Sequence, residues 1–351
     1  MKIIFFVCLL IIVNDINGSA FSFTSAFGTL HDPKLPSKCY GKDLSESLKS
    51  GVNDIIIVKQ SDDSFKSTPF QARVGKLSNW KTLFKSREGK QAKLYVNNIR
   101  ALADVNLLLS DSGAVFIHRP RSMASCSFTS EEMQNMALGR ESNDGLVVVE
   151  DLDIELRFKI YVFNQHDKLV VTDIDGTITT SDVGGFLGGS IGVGVEQPRV
   201  VEFFHKVNYN GYKVLYLTAR PMAFDGLTRE YLFETLQDVD GNPPDFIRYS
   251  LPKGPLFMSP ISAEKAISAN AEVMKLSTLT SIINLFDLKE GSIDGAYGNK
   301  NSDTESYLKS GIHGENVYLV NKQGKIVNIA TGNITSYRLQ SKMVNEYYPR
   351  L

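Results

Sequence analysis

The sequence predicts an α/β protein in two parts, a β-rich region followed by a parallel sheet with interleaved helices. Three observations predict it. From Lys168 onward, short apolar runs alternate with segments of helical periodicity, the pattern of a parallel α/β sheet. Before Lys168, apolar runs follow one another with turn residues between them, which suggests a sandwich. At the junction, Leu169-Val-Val-Thr172 leads into Asp173-Ile-Asp175-Gly-Thr177, a buried strand that ends in two carboxylates and a turn.

The chain has 351 residues, 42% hydrophobic and 22% charged, enough for two domains. Its net charge of -1 gives no global attraction to nucleic acid, so no nucleic-acid partner is expected, and no protein partner is indicated. Any attraction to lipid has to be local. Residues 1–20 read as a signal peptide: Met1-Lys2, an apolar run over 3–13, and the small residues Gly18-Ser-Ala20. The run is too short to span a bilayer, and an uncleaved anchor is the alternative. Cys8, Cys39 and Cys126 make neither a disulfide scaffold nor a metal cluster. Cys39 and Cys126 are the pair available in an oxidising compartment, and free thiols are the default expectation.

Pro33 and Pro36 break any long helix over 21–50, with one or two helical turns expected at 43–48. Strands are expected at 54–58, 93–97, 104–109 and 114–117. Turn chemistry separates them at 61–64, Asn97-Asn98 and Asp111-Ser-Gly113. Residues 127–138 read as a short helix, with Ser127 or Thr129 as N-cap and Glu131-Glu132 in its first turn. Strands return at 145–149 and 156–163. Beyond Lys168 come a helix at 199–207, a strand at 213–217 and a helix at 224–236. Leu276, Leu279, Ile282, Ile283 and Phe286 then form a helical stripe. The glycine-rich stretch 184–195 carries Phe186, Leu187, Ile191 and Val193. It reads as a flexible loop, a lid touching acyl chains being the alternative, and its spacing matches no phosphate loop.

Asp173 and Asp175 stand two residues apart at a strand's carboxyl end, where open α/β sheets bind ligands. Two such carboxylates repel unless a cation or a shared proton intervenes, and Mg²⁺ suits oxygen donors of this kind. One carboxylate can attack phosphorus, and its neighbour can give and take the proton. The plain alternative is a turn filled with aspartates. Phosphoryl transfer also needs donors and positive charge. Tyr216-Leu-Thr-Ala-Arg220 ends the next strand and offers Thr218, whose alternative role is a helix N-cap. Lys275 directly precedes the apolar stripe and is placed at a helix N-terminus. As the phosphate cation it is preferred to Lys253, in Leu251-Pro-Lys-Gly-Pro255. Thr177, Arg220 and Lys253 are the further substrate-binding candidates. Asn299 and Asp303 can complete an oxygen shell for Mg²⁺, or else belong to an ordinary turn and the first turn of a helix.

Together these pieces resemble the haloacid dehalogenase-type phosphatases and, more narrowly, the lipins, the Mg²⁺-dependent phosphatidate phosphatase family. The phrases that carry the likeness are Val171-Thr-Asp-Ile-Asp-Gly-Thr-Ile-Thr179, Asn210-Gly-Tyr-Lys-Val-Leu-Tyr-Leu-Thr-Ala-Arg220, Leu251-Pro-Lys-Gly-Pro-Leu256 and Ala296-Tyr-Gly-Asn299. Asp54-Ile-Ile-Ile-Val-Lys-Gln60 and Thr68-Pro-Phe-Gln-Ala-Arg-Val-Gly-Lys76 resemble the family's amino-terminal conserved region. The resemblance implies an immunoglobulin-like β-sandwich over 41–167, packed on a Rossmann-like haloacid dehalogenase-type catalytic domain over 168–351. It implies that Asp173 is the nucleophile and Asp175 the acid/base, with Thr218 and Lys275 on the phosphoryl group. Mg²⁺ would be held among Asp173, Asp175, Asn299 and Asp303. The implied reaction converts phosphatidate at a membrane surface to diacylglycerol and phosphate. The rival readings are a non-catalytic phosphatidate-binding module and a phosphatase of soluble or protein phosphoesters. The chain departs from the family in lacking a long insert between its conserved regions. With its leader it is expected in the secretory pathway or endoplasmic reticulum, peripherally on membrane; without a signal it would face the cytoplasm.

Overall fold

The run Ile55-Ile-Ile-Val58 decides how the two halves of the chain meet. The computed structural model describes residues 50–75, 86–102, 105–119, 125–180, 196–235, 237–238, 248–260, 270–286 and 293–351. All of these lie in one compact unit, within Asp32–Leu351. The expected leader, the turns at 43–48 and the glycine-rich stretch 184–195 lie outside the described residues.

The amino-terminal β region comprises β1 (Gly51–Val52), β2 (Ile55–Lys59), β3 (Phe65–Ser67), β4 (Ala72–Arg73), β5 (Gln91–Val96), β6 (Ile99–Ala101), β7 (Asn106–Leu109), β8 (Ala114–His118), β9 (Ser142–Val149) and β10 (Ile154–Asn164). Their order is β1-β4-β8-β7-β5-β9-β10-β2-β3, with β6 on β5. β5 serves two neighbours in turn: Gln91 and Ala92 pair with β7, and residues 93–96 pair with β9. Both halves of this sheet feed one core, which includes Leu94, Val96, Leu107, Val115, Ile117, Val147 and Phe158. Between β8 and β9, α1 (Ser130–Gln134) starts at Thr129, whose side chain forms a capping box with Glu132.

β2 is buried on both faces, so it shows an unbroken apolar run instead of alternation. Ile55 and Ile57 face the β-region core. Ile56 and Val58 face the second sheet, beside Tyr161 and Phe163 of β10, Val171, Leu215, Leu217 and Phe257. Each such side chain contributes about 1.5–3 kcal/mol by leaving water, so the two halves are joined by a continuous apolar layer.

The second sheet contains β11 (Leu169–Thr172), β12 (Lys213–Pro221), β15 (Leu256–Ser259), β16 (Ile293–Gly298), β17 (Val317–Val320), β18 (Ile326–Asn328) and β19 (Ile334–Thr335). β13 (Gln237–Asp238) and β14 (Arg248–Tyr249) pair separately. The order is β15-β12-β11-β16-β17-β18-β19, parallel from β15 to β17 and antiparallel beyond. The chain builds outward from β11 to β12 and β15, then returns to β16 on the other side. The crevice between β11 and β16 is therefore the topological switch point, where such sheets bind ligands. One face packs on α2 (Val200–Tyr209), α6 (Tyr337–Lys342) and α7 (Val344–Tyr347). The other packs on α4 (Asn270–Ile283) and α5 (Asn301–Lys309). The helix expected over 224–236 is split: α3 (Asp225–Arg229) runs into a π-helical turn at Glu230–Glu234.

β15 lies at the sheet's edge, and polar side chains from the amino-terminal region close that edge. The Asn53 amide donates to the Met258 carbonyl at 2.9 Å and accepts from the Met258 N–H at 2.8 Å. Asp54 accepts from the Leu256 N–H at 2.8 Å and the Lys159 N–H at 2.7 Å. The same fully buried carboxylate pairs bidentately with Arg229, at 3.0 and 2.8 Å. One side chain thus ties β10, β15 and α3 together.

Cys126 is disulfide-bonded, to a partner outside the described residues. This corrects the expectation of free thiols. Pairing depends on which segments the fold brings within a few ångströms, and spacing along the chain does not report that.

Glu202 ties α2 to α6. It accepts from Arg199 at 2.6 Å, Lys206 at 2.7 Å and Ser341 at 2.9 Å. Burial would raise its pKa, but these donors outweigh it and hold the carboxyl at about 2. A depressed folded pKa contributes stability above the ordinary value of 4.5, lost as pH falls toward 2. Glu202→Gln is expected to cost about 1–2 kcal/mol at neutral pH. The gap to wild type should close as pH drops through that window in denaturant melts, and a gap independent of pH would contradict the assignment.

Candidate active site

Residues 173–179 form a tight turn at the carboxyl end of β11. Gly176 takes φ +80°, a left-handed conformation that glycine adopts without strain. Its N–H donates to the Thr179 hydroxyl at 3.0 Å. The Asp173 N–H donates to the Tyr297 carbonyl at 2.9 Å, which fixes the turn against the end of β16. Thr177 donates its hydroxyl to Asp173 Oδ2 at 3.3 Å.

Lys275 Nζ joins two carboxylates, Asp173 Oδ1 and Asp303 Oδ1, each at 2.7 Å. All three side chains are at most 6% exposed. Asp303 Oδ2 accepts from the backbone N–H groups of Asn299 and Lys300 at 3.1 and 3.0 Å. This close approach requires Gly298, because a Cβ there would lie 2.5 Å from the Asp303 Cβ. Asp175 is held by Arg220 through a bidentate pair, Nε–Oδ2 at 2.8 Å and Nη2–Oδ1 at 2.7 Å. Thr218 is 1% exposed, and its hydroxyl accepts from the Arg220 N–H at 3.1 Å. It sits where the β12–β15 register breaks, between Leu217 and Pro221.

The charges do not balance. Asp173, Asp175 and Asp303 face two cations, Lys275 and Arg220. The two acids around Lys275 raise its pKa against the opposing effect of burial, so the ammonium stays charged. One ammonium cannot satisfy two buried carboxylates, and the shortfall falls on Asp173. Burial, then the charges of Asp303 and Asp175, push Asp173 up to about 7 despite Lys275.

Of the expected residues, the fold brings together Asp173, Thr177, Lys275 and Asp303, with Asp175, Thr218 and Arg220 beside them. Lys275 arrives differently from expectation. α4 contains Asn270–Ile283, so Lys275 lies more than one turn inside the helix and acts through its side chain, not through the helix end. Asn299 contributes its backbone N–H to Asp303. The Asp175 carboxylate is engaged by Arg220, which argues against the metal-ligand role given to its side chain. Lys253 is not brought to the site. Leu256 pairs with Tyr216 in parallel, and a Cβ on Gly254 would meet the Val214 carbonyl. Lys253 is therefore at the amino end of β12, about 15 Å of strand from Thr218, and it is exposed.

Two residues were missed. Tyr307 donates its hydroxyl to the Tyr297 carbonyl at 2.9 Å, the same oxygen that anchors Asp173. Tyr337 donates to the Thr177 carbonyl at 3.2 Å. Both lie on helices among apolar neighbours and read from sequence as core. Their only available signal is that a buried tyrosine hydroxyl needs a partner.

Among the described residues no cluster of three or more His, Cys, Asp or Glu forms a protein-only metal cage. Mg²⁺ does not require one, since it uses one or two carboxylates together with water and phosphate oxygens. The oxygen donors of Asp173 and Asp303, and the uncompensated negative charge on Asp173, fit such an ion.

Two family models match the chain: LNS2 (Lipin/Ned1/Smp2) over residues 124–349 and the lipin N-terminal conserved region over residues 37–136. The chain is 33% identical to human phosphatidate phosphatase LPIN1 over 232 residues, 64% of this chain and 25% of that protein. It is 31% identical to phosphatidate phosphatase PAH1 of Arabidopsis thaliana over 199 residues, 54% of this chain and 21% of that one. To phosphatidic acid phosphohydrolase 1 of Saccharomyces cerevisiae it is 27% identical over 248 residues, 65% of this chain and 28% of that one. The chain spans about a quarter of the length of these curated relatives. Because one family model covers well over half of the residues and the second precedes it along the same chain, the chain belongs to the lipin family.

Proposed function

We propose that this chain is a Mg²⁺-dependent phosphatase that hydrolyses phosphatidate to diacylglycerol and phosphate. The observation that carries the reading is Asp173 itself. It is a buried carboxylate at the switch point of a parallel sheet, braced by Lys275 and Thr177, with Asp175 two residues on. The names of the relatives supply the substrate class.

In this reading Asp173 attacks phosphorus in line, and Asp175 protonates the departing glycerol oxygen. Asp175 then takes a proton from the water that attacks the aspartyl-phosphate. Lys275 neutralises phosphoryl oxygens, and Thr218 donates to one of them. Arg220 is the group for which the phosphoryl dianion competes, freeing Asp175 for its proton. Asp173 and Asp303 would hold Mg²⁺, which when bound supplies positive charge for the oxygens around phosphorus. Lys275→Ala is expected to lose at least about 100-fold in phosphate release. Lys253→Ala should stay within about twofold, as an exposed residue away from the site does; a reversed order would overturn the assignment.

We read the amino-terminal β region as an immunoglobulin-like sandwich, supported by the bend of its sheet at β5 around one shared core. We place the protein in the lumen of the secretory pathway, peripherally on membrane. The apolar leader and the Cys126 disulfide support this, because such bonds persist in oxidising compartments. Among the described residues no helix is long and apolar enough to cross a membrane.

The test is phosphate release from phosphatidate in mixed micelles, with and without Mg²⁺, beside a water-soluble phosphomonoester. Release from phosphatidate that depends on Mg²⁺ is expected. Binding without release would favour a lipid-binding module, and preference for the soluble ester would favour the third reading.

A further inference from the structure

The sequence holds two Asn-x-Ser/Thr acceptor sequons, Asn17-Gly-Ser19 in the leader and Asn333-Ile-Thr335. The second lies on the hairpin between β18 and β19, and this hairpin contains two asparagines used in opposite ways. Asn328 is 8% exposed and its amide is fully engaged. Its Oδ1 accepts from the Ala330 and Thr331 N–H groups at 3.2 and 3.0 Å, and its Nδ2 donates to the Glu315 carbonyl at 2.6 Å. Asn328 therefore builds the turn. Asn333 is exposed; among the described residues neither its side-chain amide nor the Thr335 hydroxyl makes a hydrogen bond. Its contribution to the turn is its backbone, through its carbonyl to the Asn328 N–H at 3.0 Å.

Two further features make this a place for a bulky polar group. β19 is the outer edge strand of the sheet, and Ile334 on it is 66% exposed. An open edge carrying an apolar side chain invites pairing with another chain, and a hydrated glycan beside it would block that. The turn also lies at the pole opposite the active site. β18 runs antiparallel to β17, so its end meets residues 314–316, which lead into β17. Asp173 and Asp303 sit beyond the carboxyl ends of β11 and β16. A glycan on Asn333 leaves the catalytic face open to a lipid surface.

We propose that Asn333 carries an N-linked glycan, a proposal that rests on the luminal reading above. The Asn333 amide nitrogen bonds to the anomeric carbon of an oligosaccharide held on a lipid pyrophosphate. The sugar's C1–O bond breaks, the lipid pyrophosphate leaves, and the nitrogen loses one proton to base. The Thr335 hydroxyl is the acceptor-recognition element.

The full chain is expressed with its own leader in eukaryotic cells, and microsomes are tested for protease protection and for response to peptide N-glycosidase. The wild type is expected to be protected and to lose apparent mass on glycosidase treatment, leaving aspartate at 333 in peptide mass spectra. Asn333→Gln and Thr335→Ala each remove the shift, Thr335→Ser keeps it, and phosphate release by Asn333→Gln equals wild type. A protected chain with no shift overturns the proposal and leaves the luminal reading standing. A chain digested outside the vesicles overturns both. A shift that survives in Asn333→Gln puts the sugar on Asn17 and overturns the assignment.

Discussion

Replacing Asp173 with asparagine is expected to abolish phosphate release, by at least about 10³-fold, while leaving the Mg²⁺-free protein as stable as wild type above about pH 7. The first effect follows because an amide cannot supply the nucleophilic oxyanion. The second follows from the charge balance. Asp173 titrates at about 7 in the folded chain, against an ordinary value of 3.8. Between these values the folded state holds a proton that the unfolded chain has released. The stability of the Mg²⁺-free wild type therefore falls as pH rises through that window. Asparagine does not ionise and escapes the loss, while Lys275 keeps Asp303 as its partner. Thermal melts in chelator on either side of the window, with phosphate release measured in parallel, check both halves. A variant that turns over, or one that melts far below wild type at the alkaline end, would sink the account.

Asp54→Ala is expected to destabilise the chain by about 3–5 kcal/mol, the cost of leaving one member of a buried ion pair alone. Arg229 would lose both of its short contacts, and the Lys159 and Leu256 N–H groups would lose their acceptor. The double variant Asp54→Ala/Arg229→Met should be more stable than Asp54→Ala, because it removes the unpaired guanidinium and leaves only Asp225, a longer-range partner of Arg229 at 3.9 Å that is partly exposed. Denaturant unfolding of the three proteins and wild type measures the coupling. A double variant no better than the single would mean that the pair is not what ties the two sheets together. The same contacts explain why the amino-terminal region belongs with a parallel sheet more than a hundred residues away in the chain. Its Asn53 and Asp54 close the edge strand, and Ile56 and Val58 cover one face of that sheet.

Much of the fold is written in local pattern. The alternating burial of β5, the capping box at Thr129 and the apolar lead-in to Asp173 each follow from a few adjacent residues. Two-residue strands such as β1 and β4 have no periodicity to read. The helix α4 extends further toward its amino end than an apolar stripe counted from Leu276 indicates: Met274 packs on the same buried face, while Val273 is exposed and breaks the pattern. The π-helical turn after Arg229 leaves no mark in composition.

From sequence alone, this chain is determined to end an apolar strand in two aspartates, to follow it with a glycine turn, and to carry the Thr, Lys and Asp that phosphate chemistry needs. Those are properties of neighbouring residues, and local sterics and burial enforce them. Only the tertiary structure decided that Lys275 and not Lys253 meets Asp173, that Arg220 takes Asp175, and that Asp54 locks the halves together. Those pairings span 102, 45 and 175 residues. Strand register and sheet order set which side chains meet over such distances, and no short stretch of sequence carries that information.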